Sequence, residues 1–283
     1  MALRAIVAVA QNRPDEARRR AEEAIGLDPR TAAPRIALSY AEQAGFELSH
    51  ARDAVQEAVR LEPENALAWA RLSELWLATG YLDRALAAAT KAADLNPQLS
   101  RTQTILGYAD LAEFKVREAQ GTFERAIKLD QADPLPRLGL GLAKIRQGKL
   151  AEGRQEIEIA VVLDPTNSLI RSYLGKAYYD EKRNKPAATE LDRAKALDPR
   201  DPMPWFYDAI RKQTTNRPVE ALHDIDKAIE LNDDRAVYRS RLLLDQDLAA
   251  RSASLARIYR DLDFEQLALV EGWEHPITHI SKK

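Results

Sequence analysis

The stretch Ala24-Ile25-Gly26-Leu27-Asp28-Pro29 decides how this chain is read, because variants of it return six more times. They run from Ala58 to Pro63, Ala92 to Pro97, Ala126 to Gln131, Ala160 to Pro165, Ala194 to Pro199 and Ala228 to Asp233, always 34 residues apart. The Ala is kept in every copy, and so is the Leu three places on. A fixed period of this length marks stacked supersecondary units, none of which can bury its apolar face alone.

With the Pro of that stretch counted as position 32, full units begin at Ala32, Ala66, Ser100, Pro134, Ser168 and Pro202, and a shortened one precedes them. Positions 7 and 8 read Leu then small, as in Leu38-Ser39, Leu72-Ser73, Leu106-Gly107, Leu140-Gly141 and Leu174-Gly175. Position 20 is Ala in every unit but one, where it is Gly153. Positions 20, 24 and 27 fall at i, i+4 and i+7, one stripe of an amphipathic helix that faces its neighbour. Gly45, Gly80 and Gly148 stand at position 14 or 15, where a first helix must turn into a second. Pro14 and Pro218 follow that turn, and Pro34, Pro136 and Pro204 fall at position 3. Proline is tolerated in the first turn of a helix, where its missing N–H has no partner to lose.

In the unit from Ala66, the residues Trp69, Leu72, Trp76, Gly80, Tyr81, Ala85, Ala92 and Pro97 carry most of one family's signature. The pattern resembles the tetratricopeptide repeat (TPR) family over residues 2 to 235. The fold this implies is all-α, a right-handed α-solenoid of stacked 34-residue helix-turn-helix repeats. Seven repeats, the first incomplete, are expected over 1–235, then an inserted helix with a divergent partial eighth repeat over 236–273 and an irregular tail over 274–283. Two departures carry expectations. Gln131 in place of the closing Pro predicts a longer second helix, and Asp208 in place of the Leu of position 7 predicts a looser repeat. The repeats, and the segment from Arg235 to Gly272 in particular, are also similar to the array of long bacterial envelope proteins, which would place the chain in the periplasm.

Composition narrows the function. Forty-two Lys and Arg against 44 Asp and Glu leave a net charge of −2, without the concentrated basic face that nucleic acid requires. No cysteine is present, so disulfides, thiolate metal sites and a cysteine nucleophile are excluded, while the compartment stays open. The run Ala5 to Ala10 is far short of a bilayer span or a signal-peptide core, so no direct membrane insertion is expected. His275 and His279 are four apart but separated by Pro276 and followed by no carboxylate. No phosphate loop, His-Glu-x-x-His or nucleophile elbow occurs, so neither catalytic residues nor a metal or cofactor is expected.

The family resemblance implies a groove lined by first helices at positions 2, 5, 9, 12 and 13. Carried onto this sequence, those positions include Ile36, Tyr40, Leu67, Tyr108, Leu135, Leu138, Leu142, Ile145, Lys176, Tyr179, Met203, Phe206 and Ile210. Such a surface suits an amphipathic helix or an apolar peptide. Leu138, Leu142, Phe206 and Ile210 are expected to supply affinity, and Tyr40, Tyr108 and Tyr179 orientation. The expected function is a noncatalytic scaffold for a protein or peptide. The alternatives are self-association through uncapped ends, and service as the regulatory array of a larger protein. A further expectation sets Leu242 to Leu244 against the groove from within the chain.

Overall fold

The computed structural model describes residues 1–11, 13–231 and 257–262. Their contacts form two units, one within Met1–Gln147 and one that begins at Gly148. Every regular element among the described residues is helical, and the fold is an all-α solenoid of stacked hairpins. The first unit holds α1 (Ala2–Ala10), α2 (Pro14–Leu27), α3 (Ala33–Ala44), α4 (Leu48–Leu61), α5 (Ala66–Ala78), α6 (Leu82–Leu95), α7 (Ser100–Ala112), α8 (Val116–Leu129) and α9 (Pro134–Arg146). The second holds α10 (Leu150–Leu163), α11 (Ser168–Asp180), α12 (Asn184–Leu197), α13 (Pro202–Thr214), α14 (Pro218–Glu230) and a short helix over 257–261. Leu242 to Leu244 of the expected insertion, and the tail with His275 and His279, lie outside the described residues.

Helix boundaries follow the repeat. Prolines occupy the first turns of α2, α3, α9, α13 and α14. Position 34 supplies a side-chain cap to four first helices: Asn65 accepts from the amides of Leu67 and Ala68, Asp133 from Leu135, Asn167 from Ile170 and Asp201 from Met203. Each such cap satisfies donors that the helix leaves orphaned and contributes about 1 kcal/mol. The longer helix predicted from Gln131 does not form. α8 ends at Leu129 like its counterparts, because the Asp130 amide closes on the Ala126 carbonyl and the Asp130 carboxylate accepts from the Ala132 amide at 2.9 Å.

The turn is set at position 15, where the chain is left-handed in all six full units. Gly80 (φ 83°) and Gly148 (φ 82°) are joined there by Phe46 (φ 66°), Phe114 (φ 60°), Lys182 (φ 64°) and Asn216 (φ 59°). Gly45, one residue earlier, has φ −86° and does not make the turn. Side chains are strained in this region, so stacking holds the backbone where local preference resists.

Packing within each unit repeats one contact. The small stripe of a second helix meets the next first helix: Ala17 meets Ala41, Ala21 meets Ala37, and Ala89 and Ala92 meet Ile105 and Ala109. Position 24 of that stripe is larger in most second helices, with Val55, Phe123, Ile157, Leu191 and Ile225 all fully buried there. Phe123 in α8 stands at position 24, is fully buried and meets Tyr108 edge-on, with centroids 5.0 Å apart. It fits because Gly107 and Gly139 flank it. A Cβ on Gly107 would stand 2.7 Å from the ring, and one on Gly139 closer still.

Asp208 is also resolved by packing. Its carboxylate is fully buried and accepts from Lys195 Nζ at 2.6 Å and Arg211 Nε at 2.7 Å, with Lys212 Nζ at 3.2 Å. Asp224 of α14 closes the cluster, taking Lys195 at 2.9 Å and Lys212 at 2.6 Å. Burial pushes the Asp208 carboxyl up, but the charge of Lys195 and the hydrogen bonds from Lys195 and Arg211, with the charge of Lys212, hold it well below the usual carboxylate range. The expected loose contact is therefore an ion cluster that joins α12, α13 and α14.

Asp110 in α7 is the opposite case. It is buried, and burial lifts its carboxyl to about 6, with Glu118 raising it further and Lys115 and Arg125 lowering it. Against an unfolded value near ~3.9, the ionised form costs the folded state about 3 kcal/mol. The penalty is full above the folded value and disappears as pH falls toward the unfolded one. Asp110→Asn is thus expected to raise stability at pH 7 by up to about 3 kcal/mol and to leave it unchanged near pH 4, as urea midpoints at the two pH values would show.

Candidate functional site: the first-helix faces

In the first unit, three successive first helices are joined by a largely buried polar network that includes the groove residue Tyr40. Arg71 of α5 reaches back to α3, donating to Ser39 Oγ at 2.9 Å, the Ser39 carbonyl at 3.1 Å and Gln43 Oε1 at 2.6 Å. Its guanidinium lies 3.9 Å from the centre of the Tyr40 ring, a cation–π contact. Its remaining amino group donates to Glu74 Oε2 at 2.9 Å. The other Glu74 oxygen accepts from Arg101 of α7, which also donates to the Tyr40 hydroxyl at 3.3 Å. Burial works against the Arg101 charge, but Glu74, Tyr40 and Asp133 raise its pKa and keep it protonated. Two cations thus share the Glu74 carboxylate, and Asp133 adds a second negative charge beside Arg101.

Further along, Tyr108 donates its hydroxyl proton to the Leu135 carbonyl at 2.7 Å, and Arg146 donates to the Leu111 carbonyl at 2.7 Å. These bonds tie α7 to α9. Leu138 is fully buried, Leu135 and Leu142 are buried, Ile36, Tyr40 and Ile145 are half-buried, and Leu67 is 48% exposed. The first-unit residues named from sequence are therefore brought to one set of helices with unequal access. Leu67 is the most open, and Tyr108 spends its hydroxyl on the backbone.

In the second unit, Tyr179 of α11 meets Thr214 of α13 at 3.1 Å, hydroxyl to hydroxyl. Gln213 of α13 donates to Asp261 of the 257–261 helix at 3.0 Å, and Ile258 of that helix is fully buried. Lys176 pairs with Asp180 at 2.8 Å on its own helix. Met203 and Phe206 are buried, with Phe206 at 7% exposure, and Ile210 is half-buried.

The reading of groove positions overlooked Arg71 and Arg101. The signal was present: position 6 is Ala37, Ile105, Gly139, Tyr173 or Tyr207 in the other full units, and a lone Arg there needs an acid. Glu74 stands three residues on, the spacing that faces it on a helix. Among the described residues no three His, Asp or Glu side chains converge on a metal-sized site, and no helix is long and apolar enough to cross a membrane.

No curated protein matches the sequence. Among solved structures, the Cut9–Hcn1 hetero-tetramer of the APC/C is similar at 17% identity and a TM-score of 0.72, over 91% of this chain and 48% of that one. The chain thus spans about half the length of that protein. Human IFIT1, solved as a dimer with m7Gppp-AAAA, is similar at 16% identity and a TM-score of 0.68, over 93% of this chain and 68% of that one. PilF of Pseudomonas aeruginosa follows at 16% identity and 0.55, over 79% and 91%. At these identities the likeness concerns the fold alone. The family profile described as Tetratricopeptide repeat matches residues 35–100, 106–168 and 138–202, more than half of the chain. The chain belongs to the tetratricopeptide repeat family.

Proposed function

We propose that the chain is a noncatalytic protein–protein interaction scaffold that holds a peptide or a helix against its first-helix faces. The observation that carries this reading is the network of Tyr40, Arg71, Glu74 and Arg101, which fixes α3, α5 and α7 while leaving Leu67 open beside it. A rigid face with an exposed Leu suits an apolar segment of a peptide or helix. Burying each large apolar side chain of such a segment supplies about 1.5 to 3 kcal/mol before the costs of binding. In the second unit Ile210, Lys176 and Tyr179 offer the corresponding half-open surface, with Met203 and Phe206 beneath it.

Variants must strike open residues, since Asp at the fully buried Leu138 would unfold the helix pair. Affinity capture from envelope and cytosol fractions is expected to retain a protein on the native chain and to lose about tenfold or more of it on Leu67→Asp, Ile145→Asp if the first unit binds. Ile210→Asp tests the second unit separately. Equal retention by the native chain and both variants would remove the groove reading.

A further inference from the structure

The outward face of α10 departs from the pattern that the other second helices keep. Position 26 carries a charge in all six other units, and position 29 carries a charge, Gly or Ala. α8, for example, has Arg125 and Lys128 there. In α10 the same positions are Ile159 and Val162, which are 40% and 78% exposed, and Leu163 beside them is exposed too. At i, i+3 and i+4 the three side chains share one face of the helix. The stripe through which α10 stacks, Gly153, Ile157 and Ala160, is already buried, so this second apolar face has no place in the contact that repeats along the array.

The face leads into a notch with cationic walls. Pro165, two residues past Leu163, lines a cavity of about 290 Å³ with Ala196, Leu197, Arg171 and Arg193. Arg171 donates from Nε to the Pro165 carbonyl at 2.7 Å and from Nη1 to one Glu190 oxygen. Arg193, whose side chain is 59% exposed, donates to the other Glu190 oxygen at 3.1 Å. Two guanidinium groups thus share one carboxylate. The acids nearest in sequence are engaged elsewhere: Asp164 accepts from Thr166 and Asn167, Asp198 accepts from the Arg200 amide, and Asp192 acts on Arg217.

We infer that the face of Ile159, Val162 and Leu163, with the notch beside it, is a docking surface for an amphipathic helix of a partner protein that bears Asp or Glu at the edge of its apolar stripe. An exposed strip along one helix packs against a strip of matching period on another. Charge complementarity selects the occupant: its carboxylate meets the open side of Arg193, where a guanidinium and a carboxylate can pair through two parallel hydrogen bonds. This surface lies on second helices and is independent of the groove proposed above.

The test selects binders to the full chain from a displayed library of single-helix peptides and measures the selected peptides, labelled, by fluorescence anisotropy. They are expected to carry an Asp or Glu beside their apolar stripe, and to lose about tenfold or more in affinity for Ile159→Arg, Val162→Lys while binding Leu67→Asp unchanged. Those two replacements install the residues that α8 carries at the same positions, so the fold tolerates them, which circular dichroism verifies. Arg193→Glu is expected to cost a similar factor, and exchange of the peptide's acid for Lys to restore it. Binders that ignore both changes, or an acid-to-Lys exchange that restores nothing, overturn the assignment. So does recovery of no binder, the result expected if another segment of this chain already covers the face. A native mass that rises with concentration and stops rising in Ile159→Arg, Val162→Lys also overturns it, and gives the face to a second copy.

Discussion

Replacing Phe123 with alanine is expected to destabilise the first unit by about 3 to 5 kcal/mol, because it removes a fully buried ring and leaves a cavity its neighbours cannot fill. Gly107 and Gly139 bring backbone where a side chain would otherwise stand, so α7 and α9 have little means of collapsing onto the vacated space. The reverse change tests the same contact from the other side. Gly139→Ala places a methyl group into the ring and is expected to cost about 1 to 3 kcal/mol by overpacking. The two sites are in contact, so they should not add: Phe123→Ala combined with Gly139→Leu is expected to recover part of the loss, a coupling of about 0.5 to 3 kcal/mol. Hydrogen exchange of the α7, α8 and α9 amides reads the effect locally, as suits a stack in which each pair depends on its neighbours. Additive losses in the double variant would show that Phe123 and Gly139 act separately.

Restoring the family's own residue at position 208 is expected to harm the protein. Asp208→Leu leaves Arg211 without its carboxylate and leaves Lys195 and Lys212 sharing Asp224 alone, in surroundings where all three cations are largely buried. Removing one member of such a cluster costs about 3 to 5 kcal/mol, while removing the whole group is close to neutral or favourable. Asp208→Leu together with Lys195→Met, Arg211→Ala, Lys212→Met and Asp224→Leu should accordingly recover most of the loss in urea denaturation. The pH response has a definite sign. The folded Asp208 pKa is depressed, so its contribution is complete above the unfolded value near ~3.9 and is lost as pH falls below it. Asp110 changes in the opposite direction above that window, so the two variants separate in a pH series.

The proposed groove was legible to different depths. The positions expected to share a face do fall on successive first helices, because a 34-residue period advances every helix pair by the same step. Access to each residue depends on what surrounds it, and the period carries no such information. Leu138 and Leu67 are both groove positions by count, yet one is fully buried and the other half open. The hydroxyl of Tyr108 looks available in sequence, but the carbonyl of Leu135, a residue 27 places on, claims it.

By itself the sequence determined the family, the order of the helices and the positions of the stripe on which they stack. These properties are local or periodic, set by spacing, capping residues and prolines that act within a few positions. Only the tertiary structure decided how the exceptions are accommodated. Phe46, Phe114, Lys182 and Asn216 adopt the left-handed turn that glycine makes easily, because the packed helices on either side fix its geometry. Asp208 is tolerated because Lys195 arrives from α12, 13 residues earlier, and Asp224 from α14. Arg71, Glu74 and Arg101 become one network only when three first helices lie side by side. A pairwise interaction between distant residues depends on where the helices converge, and no window of sequence contains that distance.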